Sequence, residues 1–236
     1  MTEEKIENSS IKSEQTVYNY KEALKASEEY FGDEMPAKVF VDKYALKDLK
    51  GNIYESTPSQ MHWRLAKEFA RMELHFHNKE NADRMSDYGK SRGILSVQKI
   101  FDYFNEFRYV IPQGSVMELL GNTFKIGSLS NCIVLPEIYD SYGGIHYTDQ
   151  QMTQLMKRRC GVGIDISSLR PDGSVVTNAA GSSTGPVSFM ERFSNTTREV
   201  AQSGRRGALM ITIDVAHPDV EKFITIKEDT KKVTGA

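Results

Sequence analysis

The chain has 236 residues, enough for one large domain or for a small domain joined to part of a larger one. With 39% hydrophobic and 26% charged residues and a net charge of −2, nothing electrostatic points to a nucleic-acid or membrane partner, and no apolar run nears the roughly 18–20 residues of a membrane helix. Residues 1–16 read as a solvated tail without a signal peptide's apolar stretch, and the two cysteines, Cys132 and Cys160, exclude a disulfide framework or a four-cysteine metal site, so the expectation is a cytoplasmic globular protein.

The first half reads as helical, with a domain over residues 17–109. Tyr20, Leu24, Tyr30 and Phe31 set a helical spacing that Gly32-Asp33 breaks. A second helix opens at Thr57-Pro58, with Thr57 as cap and Pro58 at the first position, where its missing N–H costs nothing. Met61, Leu65, Phe69 and Met72 fall on its apolar face. A third helix spans Val97 to Phe107 and buries Ile100, Phe101 and Phe104. His62, His75 and His77 have no acidic ligand cluster beside them and read as ordinary core or surface histidines, so no metal site is expected.

From about residue 110 the texture changes to short apolar, β-branched runs at Asn131–Leu135, Gly161–Ile166 and Leu209–Val215. Helical segments separate them. Thr148 with Gln151 forms a capping box ahead of Met152, Leu155 and Met156. Pro186 opens a helix carrying Met190, Phe193 and Val200 that Gly204 ends, and Pro218 opens another with Val220, Phe223 and Ile224. Strands alternating with helices argue for a β/α arrangement over residues 110–236, with too few strands to close a barrel.

Three features exceed what packing requires. Gly161-Val162-Gly163 follows Lys157, Arg158 and Arg159, so its N–H groups are candidate phosphate donors, against the plainer reading of a helix-to-strand turn. Arg205 and Arg206, flanked by glycines, form an anion-binding loop or a solvated helix end. Cys132 lies at the start of an apolar strand, where a buried cysteine is usually a small hydrophobe; a redox role needs a second thiol close by.

In order along the chain stand Leu129-Ser130-Asn131-Cys132, Asp140-Ser141-Tyr142-Gly143-Gly144-Ile145, Lys157-Arg158-Arg159-Cys160-Gly161-Val162-Gly163-Ile164-Asp165, Ser168-Leu169-Arg170-Pro171-Asp172-Gly173, Thr184-Gly185-Pro186, Ser203-Gly204-Arg205-Arg206-Gly207-Ala208 and His217-Pro218-Asp219. This series resembles the large chain of ribonucleotide reductases over residues 110–236, and residues 36–75 are similar to that family's helical start. The resemblance implies an α/β fold in which a helical amino-terminal region leads into the first part of a ten-stranded α/β barrel, and a reaction that converts ribonucleotides to deoxyribonucleotides by thiyl-radical chemistry.

By position, the resemblance makes Cys132 the first of two barrel cysteines that supply electrons and become a disulfide. It puts Ser115, Asn131 and Gly161 in contact with the ribonucleotide, and Cys160 beside the substrate phosphates, where the family usually has Gly or Ala. Asp140, Ser141 and Arg170 match the dNTP or ATP effector site, with the loop from Pro171 to Thr177, including Val176 and Thr177, closing over it. Arg205 and Arg206 match the specificity loop that relays effector identity to the substrate.

The family's second redox cysteine, radical-bearing cysteine and catalytic glutamate have no counterpart before Ala236, so catalysis is expected to need a chain carrying the remaining barrel. The tail is too short for the family's ATP-binding activity switch. Radical sources in the family are adenosylcobalamin or a separate metal-containing small subunit, and the start at Val39-Phe40-Val41-Asp42-Lys43-Tyr44 leans toward the first. A thioredoxin-type reductant and a homodimer of the completed enzyme are also implied. The competing expectation is a non-catalytic nucleotide-binding fragment or remnant of that enzyme.

Overall fold

The computed structural model describes residues 16–78, 83–200 and 207–228. The chain divides into a helical unit, Met1–Lys125, and a sheet-containing unit, Ile126–Ala236.

In the helical unit, α1 (Tyr20–Phe31) starts at Asn19, whose side chain and that of Glu22 cap each other's backbone N–H groups, and ends at Gly32 in the left-handed conformation. The buried positions are Ala23 and Ser27, while Tyr20 faces solvent. α2 (Glu34–Lys43) has no counterpart among the helices expected from the sequence; Pro36 sits in its first turn, where its missing N–H is not needed. α3 (Pro58–Phe76) begins as expected, with Gln60 Oε1 accepting from Thr57 N at 3.3 Å. Its core face differs. Met61 and Leu65 are buried, but with His62, Ala66 and Ala70 rather than Phe69 and Met72, which are 42% and 37% exposed. The small alanines let neighbouring elements approach closely, which turns the buried stripe about the helix axis.

The short α4 (Asp87–Ser91) precedes α5 (Val97–Phe104), which stops before Phe107. Glu106 and Phe107 both adopt φ of 55°, so the chain leaves the helix through a tight 3-10 turn. Ile100 and Phe104 are buried as expected; Phe101 is half-buried, stacked on Trp63 at 4.2 Å. α6 (Gly114–Leu119) is held at its C-terminal end by Arg64, which donates to the carbonyls of Met117 (2.8 Å) and Leu120 and pairs with buried Glu55 at 2.8 Å.

The second unit runs β1 (Cys132–Val134), α7 (Tyr142–Met156), β2 (Gly161–Asp165), α8 (Gly185–Glu199), β3 (Leu209–Thr212) and α9 (Val220–Thr225). The strands form one parallel sheet in the order β1-β2-β3, with Cys132 opposite Gly161 and Val162 opposite Leu209. Each strand is shorter than its apolar run. α7 starts at Tyr142, earlier than the Thr148 box suggests: Ser141 Oγ accepts from Gly144 N at 3.0 Å, and Thr148 is buried in mid-helix. Its Gly143-Gly144 pair has poor helix propensity and masks this start. Pro186 lies in the first turn of α8 and Pro218 just ahead of α9, as expected, whereas Gly204 lies outside the described residues.

Alternation separates the two faces of the sheet. Val162 and Ile164 turn toward α7 and α8 and join a core with Ile145, Met152, Met156 and Phe193. Cys132, Val134, Gly161, Gly163 and Met210 turn to the opposite face, where Val134 is 79% and Met210 69% exposed. Among the described residues, no helix is long and apolar enough to cross a membrane.

Candidate active site and effector site

At the N-terminal edge of the sheet, Asn131, Cys132, Cys160, Gly161 and Ala208 converge. Asn131 O accepts from Gly161 N at 2.6 Å, and Ala208 O accepts from Val162 N at 2.9 Å. The first two N–H groups of the Gly-Val-Gly run are therefore spent on the sheet, which corrects their reading as phosphate donors. Gly161 contributes space instead: a Cβ there would lie 3.4 Å from Cys132 Sγ and 3.5 Å from Ala208 Cβ. The basic residues before it finish α7, with Arg158 donating to Gln154 O at 2.7 Å, where cations suit the helix dipole.

Cys132 is exposed, which removes the reading of it as a small buried hydrophobe. Its thiol stands on the face of the sheet opposite α7 and α8. Cys160 is fully buried, and its thiol donates to Gly161 O at 3.2 Å. Burial, followed by the nearness of Cys132, pushes the Cys160 thiol pKa up, so it is a poor thiolate and nucleophile. Ser115 lies in the other unit, buried in the first turn of α6. Arg205 and Arg206 lie outside the described residues.

At the C-terminal edge, Asp140 follows β1 and Arg170 follows β2. Arg170 Nε donates to Asp140 Oδ2 at 2.7 Å, Arg170 N to Asp140 Oδ1 at 3.3 Å, and a guanidinium nitrogen to Asp140 O at 3.4 Å. Both side chains are partly exposed. Ser141, next in the chain, caps α7. The positive end of that helix and a guanidinium thus share one edge with a carboxylate able to accept from a ribose hydroxyl, a chemistry suited to a nucleotide. Beyond Arg170 the chain forms a hairpin: Gly173 N donates to Ser183 O, Val175 pairs with Ser182, and Val176 N donates to Gly181 O at 3.1 Å. Val176 and Thr177 lie toward its tip, farther along the chain than the Asp140–Arg170 pair at its base.

Sequence reasoning did not single out the partners that fasten this base. Asp219, 4% exposed, accepts from Asp172 N at 2.8 Å, and Lys222 bridges Asp172 Oδ2 at 2.7 Å and Asp219 Oδ1 at 3.5 Å. Buried His217 shares its ring between Leu169 O at 2.9 Å and Asp219 N at 3.0 Å. Only the His217-Pro218-Asp219 signature was visible beforehand; the pairings span about fifty residues and leave no local pattern. Among the described residues, no group of His, Cys, Asp or Glu could hold a metal ion.

Comparison with known proteins follows the same division. Residues 30–114 match the all-alpha domain of ribonucleotide reductase, and residues 130–234 match its barrel domain. The vitamin B12-dependent ribonucleoside-diphosphate reductase of Thermoplasma acidophilum is 33% identical over 83% of this chain and 31% of its own length. That of Mycobacterium tuberculosis is 38% identical over 48% of this chain and 16% of its own, and the ribonucleoside-diphosphate reductase large subunit of Caenorhabditis elegans 32% over 43% and 13%. The chain spans less than a third of the length of these relatives. With two domains of one enzyme matched in order, and a three-stranded parallel sheet where the barrel domain falls, the chain belongs to the ribonucleotide reductase family.

Proposed function

We propose that this chain is the amino-terminal part of a ribonucleoside-diphosphate reductase, its three described strands belonging to a ten-stranded barrel that the rest of the enzyme completes. The observation that carries the reading is the placement of Cys132: it stands exposed beside Gly161 on the sheet face away from α7 and α8, while Cys160, the chain's other cysteine, is buried. In this reading that face lines the barrel interior and receives the ribonucleotide. Asn131 and Gly161 border the substrate there, and Cys160 packs behind the phosphates.

Cys132 and a second thiol from the remaining barrel are oxidised together to a disulfide. Their two electrons and two protons convert the ribonucleotide to a deoxyribonucleotide, and the 2′-hydroxyl leaves as water. A thioredoxin-type reductant then reopens the disulfide. Adenosylcobalamin, rather than a separate metal-containing small subunit, is the radical source proposed from the B12-dependent relatives. It supplies the initiating radical; no residue of this chain is assigned to hold it. A dNTP or ATP effector binds at Asp140, Ser141 and Arg170 beneath the hairpin bearing Val176 and Thr177, and Arg205 and Arg206 carry its identity to the substrate in a homodimer of the completed enzyme.

The test mixes this chain with the polypeptide carrying the remaining barrel, adenosylcobalamin, a ribonucleoside diphosphate and thioredoxin as reductant. Deoxyribonucleotide formation is expected with the wild type and its loss with Cys132→Ser. Turnover by the variant at the wild-type rate refutes the redox role.

A further inference from the structure

The base of the hairpin is pinned on one side by a single stretch of chain. Ile166 N donates to Thr212 O at 3.0 Å, Asp214 N to Ser167 Oγ at 2.7 Å, His217 meets Leu169 O at 2.9 Å, and Asp219 with Lys222 holds Asp172 at 2.8 and 2.7 Å. Arg170 lies between the last two of these anchors, so its backbone is fixed on both flanks while its side chain reaches the other way to Asp140. The far end of the hairpin returns to the same place. Gly185 has φ of 73°, and a Cβ there would come within 2.6 Å of Asp219 Oδ2 and 2.8 Å of Asp172 N.

We propose that Asp219 and Lys222, backed by His217, are positioning residues that set Arg170 and the hairpin for nucleotide binding. This rests on the effector-site reading above. Two physical effects operate. Asp219 accepts the Asp172 N–H in a nearly dry setting, where an unmade bond is costly, and so defines where the hairpin departs. Lys222 neutralises the Asp172 carboxylate, which would otherwise stand as a bare negative charge two residues from the guanidinium offered to a phosphate. The Lys222 ammonium accordingly lowers the Asp172 pKa. Loop and strap are thereby ordered before the ligand arrives, which spares the entropy of ordering them on binding.

Lys222→Ala and Lys222→Arg decide the matter, because Lys222 is half-exposed and its loss leaves the core intact. Two readouts are needed: hydrogen exchange of the Asp172 and Gly173 amides by NMR, and equilibrium binding of dTTP to the full chain. In Lys222→Ala those amides are expected to exchange faster while α7 amides are unchanged, and dTTP is expected to bind about tenfold more weakly, the scale of losing a pre-ordered loop. Lys222→Arg restores both. Unchanged exchange in Lys222→Ala overturns the clamp, and faster exchange with unchanged dTTP affinity overturns its positioning role. A wild-type chain that binds no dTTP overturns the effector reading and the positioning role with it, and the exchange readout still decides whether the clamp exists.

Discussion

His62 is fully buried on α3, its ring stacked near Phe104 and edge-on to Phe107 at 4.7 Å, and neither ring nitrogen has a hydrogen-bond partner. Burial penalises the imidazolium and pushes its pKa down to about 4. The folded chain therefore holds His62 neutral where an unfolded chain, titrating near 6.5, takes up a proton. This contribution to stability is fully present above pH 6.5 and is lost as pH falls toward 4, to a total of about 3 kcal/mol. Denaturant unfolding of wild type and His62→Leu across that range is the check. Wild type is expected to lose more stability on acidification than the variant, and parallel curves would remove the claim. At the residue scale, the identity of the candidate site residues was legible in the motifs, but their surroundings were not. Cys132 looked like part of an apolar strand; the alternation that puts it on the bare face shows only once its register against Gly161 is known. Phe69 and Met72 fit a helical stripe, yet Ala66 and Ala70 mark where neighbours come close.

Among elements, α7 shows how a local signal misleads. Thr148 with Gln151 satisfies a capping box in composition, while the working cap is Ser141, followed by two glycines that depress helix propensity. Gly144 is there for space, since a Cβ would lie 2.2 Å from Tyr139 O, whereas at Gly143 the nearest atom is Ser141 Oγ at 3.7 Å. Gly144→Ala must therefore displace backbone at the turn carrying Asp140, at a cost of about 1–3 kcal/mol; Gly143→Ala costs far less. Thermal unfolding of the two variants tests this, and equal melting points would contradict it. Strands and the proline-opened helices were legible because β-branched runs and prolines act locally. The order β1-β2-β3 and the strap beneath the hairpin were not, because they join residues far apart in the chain.

At the scale of the whole molecule, the sheet face away from α7 and α8 is the feature that needs a counterpart. Parallel sheets are covered on both faces in folded proteins, and here α7 and α8 cover one. The other presents Val134, Met210 and the Cys132 thiol to solvent. If the remaining barrel arrives on that face, Cys132 passes from solvent to interior while Cys160, already buried and with its thiol pKa raised, serves as an internal control. Timed alkylation with iodoacetamide, read by mass spectrometry, should label Cys132 readily in the chain alone and leave Cys160 largely unmodified. Adding a polypeptide that carries the remaining barrel should slow Cys132 labelling by about tenfold or more, as burial restricts access. Labelling of Cys132 that stays equally fast in a mixture shown to associate would mean the partner docks elsewhere, and the face bearing Cys132 would lose its claim to be the barrel interior.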